Sequence, residues 1–143
     1  MNKRILLITG LEFACDNYFP SHKKILSSHY EVKIIPIESI LVGYNRVANP
    51  FLIFIYIYKF SNFIKKNQID IVLSAGPQIG FINTFSSFLS FHKSWHWFTG
   101  IFWSNIDSPL LSISYWVDFL ILIFINKIYA DSHWQKEFLK RKL

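Results

Sequence analysis

Residues 69–78, IDIVLSAGPQ, decide the fold. The apolar run beginning at Ile69 closes on Ala75, Gly76 and Pro77, small and turn-forming residues that mark the end of a buried strand. The segment from Gln78 to Phe91 then reads as a helix. A buried strand handed through a short turn to a helix opens a βαβ unit, and the same alternation extends to either side.

Upstream, RILLIT (Arg4 to Thr9) is a short apolar run ending at Gly10, a buried first strand. A polar, aromatic loop leads to a short helix over Ser21 to Ser28. YEVKIIPI (Tyr30 to Ile37) alternates and carries β-branched residues, as a second strand does. Asn49 and Pro50 pair an N-cap residue with a proline suited to the first helical position, opening a helix to about Asn67. Its Phe, Ile and Tyr residues also favour sheet, but the cap and the length of the pattern decide for helix.

Downstream, Trp95 to Phe98 form a fourth strand, and Ser108 and Pro109 repeat the cap-plus-proline signal before a helix to about Asn126. KIYA (Lys127 to Ala130) is a fifth strand. Ser132 and Gln135 stand at the S-x-x-Q spacing of a capping box and start the last helix. The pattern predicts an α/β fold, a parallel sheet of about five strands with helices on both faces. Ligands of such sheets bind beyond the carboxyl ends of the strands. That rule selects four loops: Gly10 to Asn17, Ser74 to Gly80, Thr99 to Ser108, and Asp131 to Ser132.

A chain of 143 residues is the length of one domain, 1–143. Hydrophobic residues make up 52% of it and Gly and Pro number five each, which excludes a disordered or fibrous chain. The net charge of +6 is spread from Lys3 to Lys142 with no basic block, so no nucleic-acid partner is expected. Diffuse positive charge beside aromatics suits anionic lipid headgroups better. Cys15 is the single cysteine, which excludes an internal disulfide and a Cys-based zinc site and suits the cytoplasm. FLIFIYIY (Phe51 to Tyr58) and LLSISYWVDFLILIFI (Leu110 to Ile125, with Asp118 inside it) both fall short of the ~20 apolar residues that span a bilayer. The apolar run in MNKRILLITG is too short for a secretory signal.

The first loop has Gly10 but no G-x-G-x-x-G, so no dinucleotide cofactor is expected; a P-loop and a G-x-S-x-G nucleophile elbow are absent as well. His22, His29, His92, His96 and His133 lack the spacing of a zinc helix, and no metal site is expected. What remains is small, backbone-rich turns at strand ends. Gly76-Pro77 and Thr99-Gly100 either only turn the chain or present N–H groups to a sugar or phosphate. His96 is either a hydrogen-bonding core residue between Trp95 and Trp97, or a group that binds a sugar hydroxyl or takes its proton. Asp131 and Ser132 read first as a helix cap. Asp118, spaced i, i+4 from Ser114 on an apolar helix, reads as a satisfied structural acid.

HWFTGIFW (His96 to Trp103), followed about thirty residues on by ADSHWQKEFL (Ala130 to Leu139), resembles the N-terminal domain of bacterial family 4 glycosyltransferases. In that family's H-x-F-T-G-x-x-W pattern the matching residues are His96, Phe98, Thr99, Gly100 and Trp103. Asp118 matches an acid on the helix that follows, although Phe119 replaces a basic residue common there. Ala130, Asp131, Ser132, Gln135, Phe138 and Leu139 match A-D-S-x-x-Q-x-x-F-L. Asp70, Ile71, Val72, Ser74, Pro77 and Gly80 match a D-I-V-H-S-H-T-P-K-x-G segment, with departures at Leu73 and Ala75, where histidines are common.

The resemblance spans Arg4 to Leu139 and implies one Rossmann-like half of a two-domain (GT-B) enzyme of capsule, exopolysaccharide or O-antigen synthesis. Such an enzyme moves a sugar from a nucleotide-sugar to a saccharide or lipid-linked acceptor, without a required metal. The N-terminal domain holds the acceptor, and a C-terminal domain, expected to lie outside this chain, grips the donor. Implied site residues are His96 as base and Gly10, Gly76, Pro77, Thr99, Gly100 and Ser132 as substrate contacts. The implied location is the cytoplasm, with peripheral contact at the inner face of the plasma membrane. Two other readings stand beside it: a non-catalytic subunit that docks a split transferase to a membrane through the Leu110 to Ile125 helix, and part of a nucleotide-sugar epimerase of the same architecture.

Overall fold

The computed structural model describes residues 3–10, 12–17, 19–44, 50–100 and 113–142. Its elements run β1 (Lys3–Thr9), α1 (Glu12–Asn17), α2 (Phe19–Leu26), β2 (Tyr30–Pro36), a 3-10 turn (Ile37–Ser39), α3 (Pro50–Asn67), β3 (Ile71–Ala75), α4 (Pro77–Ser90), β4 (Lys93–Phe98), α5 (Ile113–Phe124), β5 (Lys127–Ala130) and α6 (His133–Lys142). The strands form one sheet of order β2-β1-β3-β4-β5 with every pair parallel. This is the α/β, Rossmann-like architecture that the alternation predicts.

The period-2 pattern of the strands divides the core into two halves. Leu6, Ile8 and Val72 turn to one face, where they pack with Ile57, Phe60 and Ile64 of α3 and Ile79 and Ile82 of α4. Ile5, Leu7, Ile71, Leu73, Ala75, Trp95 and Trp97 turn to the other, against Cys15 and Phe19. Both faces of β1 and β3 are therefore apolar, as a sheet covered on two sides requires. Helices α3, α4 and α5 lie side by side over the first face, and α1 and α2 cover β1 and β2 on the second.

Several boundaries differ from the sequence reading. Strand β3 starts at Ile71 rather than Ile69, because Asp70 serves as a tie: its carboxylate accepts from the Arg4 N–H at 2.7 Å and its carbonyl from Lys93 N at 2.9 Å. Strand β4 starts two residues early, at Lys93. The segment after Gly10, expected to be loop through Asn17, holds the short helix α1. Asn49, Ser108, Pro109, Trp103 and most of the Thr99 to Ser108 loop lie outside the described residues. Helix α4 ends on Phe91, which sits in the left-handed region at φ 58° and donates its N–H to Ser87 O. That cap position favours glycine; here it holds an aromatic ring that is 88% exposed.

The strand order positions any site. From β1 the chain first steps outward to β2, then crosses back to β3 and continues the other way to β4 and β5. The direction reverses between β1 and β3, and the crevice beyond their carboxyl ends is where an open α/β sheet receives ligands.

Candidate functional site

Four of the singled-out turns follow strands that are neighbours in the sheet. Gly10 follows β1, Gly76 and Pro77 follow β3, Thr99 and Gly100 follow β4, and Asp131 and Ser132 follow β5. The register pairs Thr9 with Ala75, Ala75 with Trp97, and Phe98 with Ala130, so these turns leave the sheet at nearly one height. They form a rim that crosses three strand spacings, roughly 14 Å. Gly10, Gly76, Pro77 and Gly100 are half-buried, and Thr99 and Ser132 are exposed.

Each turn has a local cause. Gly76 has φ +90° with nothing within 4 Å of where a Cβ would stand, so backbone conformation rather than space demands glycine there. It precedes Pro77, which starts α4 at a position where a missing N–H costs nothing. Tyr44 closes the crevice side: its hydroxyl donates to Gln78 Oε1 at 3.0 Å, and its ring lies 3.7 Å from a Cβ position on Gly10. At β5, Ser132 Oγ accepts from Gln135 N at 3.1 Å, and Gln135 Oε1 accepts from Asp131 N at 2.9 Å. The capping box predicted from the sequence is thus formed, with its return bond one residue earlier than usual. Asp131 also accepts from Trp97 Nε1, which ties the β5 turn to β4.

His96 lies beneath this rim rather than on it. It is 1% exposed, with its ring edge-on to Phe98 at 4.6 Å and directly under Gly80 of α4. Its Nδ1 is 3.0 Å from Ser74 Oγ. Ser74 Oγ in turn donates to Trp95 O at 3.1 Å and accepts from Asn83 Nδ2 at 3.0 Å. With the serine proton on that carbonyl, Nδ1 carries the imidazole proton and Nε2 the lone pair. Burial holds the ring neutral, its pKa lowered to about 3, against an opposing pull from hydrogen bonding to the Ser74 backbone. In this arrangement the ring is closed to solvent.

The rest of this seam was not singled out from the sequence. Asn83 Nδ2 also donates to Val72 O at 3.2 Å and Trp95 O at 3.0 Å, so one amide stitches α4 to both β3 and β4. Two hydrogens serve three acceptors, so one is shared. Facing those carbonyls fixes the amide's orientation, and Asn83 Oδ1 therefore accepts from His92 Nε2–H at 2.8 Å. His92 Nδ1 then shares the Ser90 hydroxyl proton, at 2.8 Å, with Ser86 O, also at 2.8 Å, and burial lowers the His92 pKa to about 4. Ser86 and Ser61 continue the seam to α3 through the Ile57 carbonyl. The signal was present in α4, where Gly80, Asn83, Thr84, Ser86 and Ser90 alternate with Ile and Phe at helical spacing.

Asp118 is buried at 2% exposure and shares with Ile121 the inward side of α5. Among the described residues no group of three or more His, Cys, Asp or Glu is placed to hold a metal. An open hollow of about 490 Å³ lies beside Asp131 and Ser132, walled by Tyr129, His133 and Lys136. A second, of about 670 Å³, lies at the β2 edge of the sheet, lined by Cys15 and Asp16 of α1, Lys23 and Lys24 of α2, and Pro36 at the end of β2. No protein-family model matches this chain, and no curated protein matches it.

Proposed function

We propose that this domain is the acceptor-side half of a glycosyltransferase, moving a sugar from a nucleotide-sugar to a saccharide or lipid-linked acceptor at the cytoplasmic face of the plasma membrane. The observation that supports it is the rim. The residues that carry the resemblance, Pro77, Thr99, Gly100, Asp131 and Ser132, follow three adjacent strands at one height, next to the reversal in strand order. Backbone N–H groups of the Gly76-Pro77 and Thr99-Gly100 turns and the hydroxyls of Thr99 and Ser132 suit the neutral, hydroxyl-rich surface of a saccharide. The donor nucleotide belongs to a second domain or subunit.

In this reading His96 is a positioning residue. It carries β4 and Thr99 on a hydrogen-bonded, neutral ring, and becomes a base only where a partner domain uncovers it. The experiment is equilibrium binding of the purified chain to a panel of short-chain lipid-linked saccharides and, separately, to nucleotide-sugars. Saturable binding of a saccharide that Thr99→Trp weakens at least tenfold is expected, with no comparable affinity for nucleotide-sugars. Turnover of a nucleotide-sugar by the 143-residue chain alone contradicts the half-enzyme assignment.

A further inference from the structure

The outer surface of the α3–α4–α5 layer exposes apolar side chains at both of its ends. On α3, Phe51, Phe54, Ile55 and Tyr58 are 77, 71, 46 and 63% exposed. Their spacing of three and four residues puts them on one stripe, opposite the buried Tyr56, Ile57, Phe60 and Ile64. Toward the other end of the layer Phe88, Leu89 and Phe124 are exposed, with Phe88 and Phe124 edge-to-face at 5.7 Å. So many exposed aromatic and aliphatic side chains on one layer are unusual for a domain that stands free in water.

The charges on the layer decide what covers it. Helix α3 carries Lys59, Lys65 and Lys66 and no acid, and α4 carries no charged residue at all. In α5 the sole charged residue is Asp118, which is buried. Every exposed formal charge on these three helices is therefore a lysine. Aromatics flanked only by lysines match an anionic headgroup layer over acyl chains. No helix among the described residues is long and apolar enough to cross a membrane, so the contact is one of lying on the surface.

We infer that the α3–α4–α5 layer docks flat on an anionic lipid bilayer, with Phe51, Phe54 and Tyr58 inserted at the interface and Lys59, Lys65 and Lys66 on the headgroups. The amino-terminal half of α3 lies at the rim end of the sheet: the Tyr56 ring packs tilted against Tyr44 with centroids 5.6 Å apart, and Tyr44 reaches Gln78 in the first turn of α4. Docking by this face brings the rim to the membrane whatever ligand the rim takes. The sequence reading puts such a contact on Leu110 to Ile125; its described part supplies one edge of the face as α5, and α3 supplies the other edge and the charge.

The test is co-sedimentation of the full chain with vesicles of phosphatidylcholine alone and of phosphatidylcholine mixed with phosphatidylglycerol, none containing a saccharide, so that its outcome is independent of the transferase reading. Binding to the anionic vesicles is expected, weakened by salt and much reduced on the neutral ones. Each lysine near a charged surface is worth about fivefold in partitioning, so K59Q/K65Q/K66Q should lose about a hundredfold. F54S/Y58S, at side chains mostly in solvent, should abolish binding while leaving the far-UV circular dichroism and unfolding midpoint unchanged. Equal binding to both vesicle types, no binding to either, or a stable dimer that F54S/Y58S dissociates and that ignores vesicles would each overturn the proposal.

Discussion

Gly80→Ala should destabilise the domain, although helix propensity alone says the reverse. A Cβ at position 80 would stand 2.5 Å from His96 Cε1, 2.6 Å from Nδ1 and 2.9 Å from Ile121 Cδ1. Carbon atoms rest at ~3.5–4 Å, so something must give by about 1 Å. The Ile121 methyl is the end of a flexible chain and can turn aside. The imidazole cannot do so freely, because Ser74 holds Nδ1 and Phe98 packs on the ring. Overpacking of this kind costs ~1–3 kcal/mol, and loosening the Ser74 bond adds about 1 kcal/mol. Replacing a mid-helix glycine by alanine returns about 1 kcal/mol, leaving a net loss of about 1–3 kcal/mol. With a urea slope of ~2 kcal/mol/M, the unfolding midpoint should fall by about 1 M. In a His96→Ala background, which makes room, the same substitution should cost little or stabilise. If Gly80→Ala alone raised the midpoint, the placement of His96 under α4 would be wrong.

Acid should weaken the fold ahead of any carboxylate effect. His92 and His96 are held neutral in the native state, at about 4 and about 3, and an unfolded chain protonates both below about 6.5. The stability they support is present in full above that value and drains as pH falls toward the native values, by up to ~1.4 kcal/mol per unit for each ring. Urea midpoints between about pH 7 and pH 4 should show this slope, and His92→Gln should flatten part of it; a level profile contradicts the burial argument. Asn83→Ala should cost at least ~2 kcal/mol, since it strands the His92 N–H and removes the stitch between β3 and β4, a loss read by chemical denaturation. Phe91→Gly should stabilise by about 1 kcal/mol, because it relieves a left-handed backbone at a side chain that packs on almost nothing, and a lowered melting temperature would show that Phe91 is held by more than the cap.

Much of the fold was legible because β1 and β3 centre on runs of Ile, Leu and Val and close on glycine, followed after β3 by proline. The Ser132–Gln135 cap was legible for the same reason, being local chemistry at a fixed spacing. What was not legible depends on neighbours in space. Lys93 and Ser94 fall outside the strand expected from Trp95, yet they are strand, because Ile71 and Val72 of β3 stand opposite them in register. Glu12 to Asn17 has no cap signal and forms only a short helix. The rim was legible as strand ends, whereas the burial of His96 was not: a histidine between two tryptophans has the same sequence whether it faces a cleft or Gly80. Only the glycine three residues into α4, paired with a serine in β3, records that contact, and neither is distinctive alone.

The proposed function puts a saccharide acceptor on the rim. The most direct measurement is a titration of the isotope-labelled chain with a lipid-linked saccharide in detergent micelles, read at individual backbone amides against empty micelles. Shifts concentrated at Gly10, Gly76, Thr99, Gly100 and Ser132, with the Asn83 and His92 amides unmoved, are predicted. Saturable shifts gathered instead around Lys23 and Lys24 at the β2 edge of the sheet, or none anywhere across the acceptor panel, would contradict it.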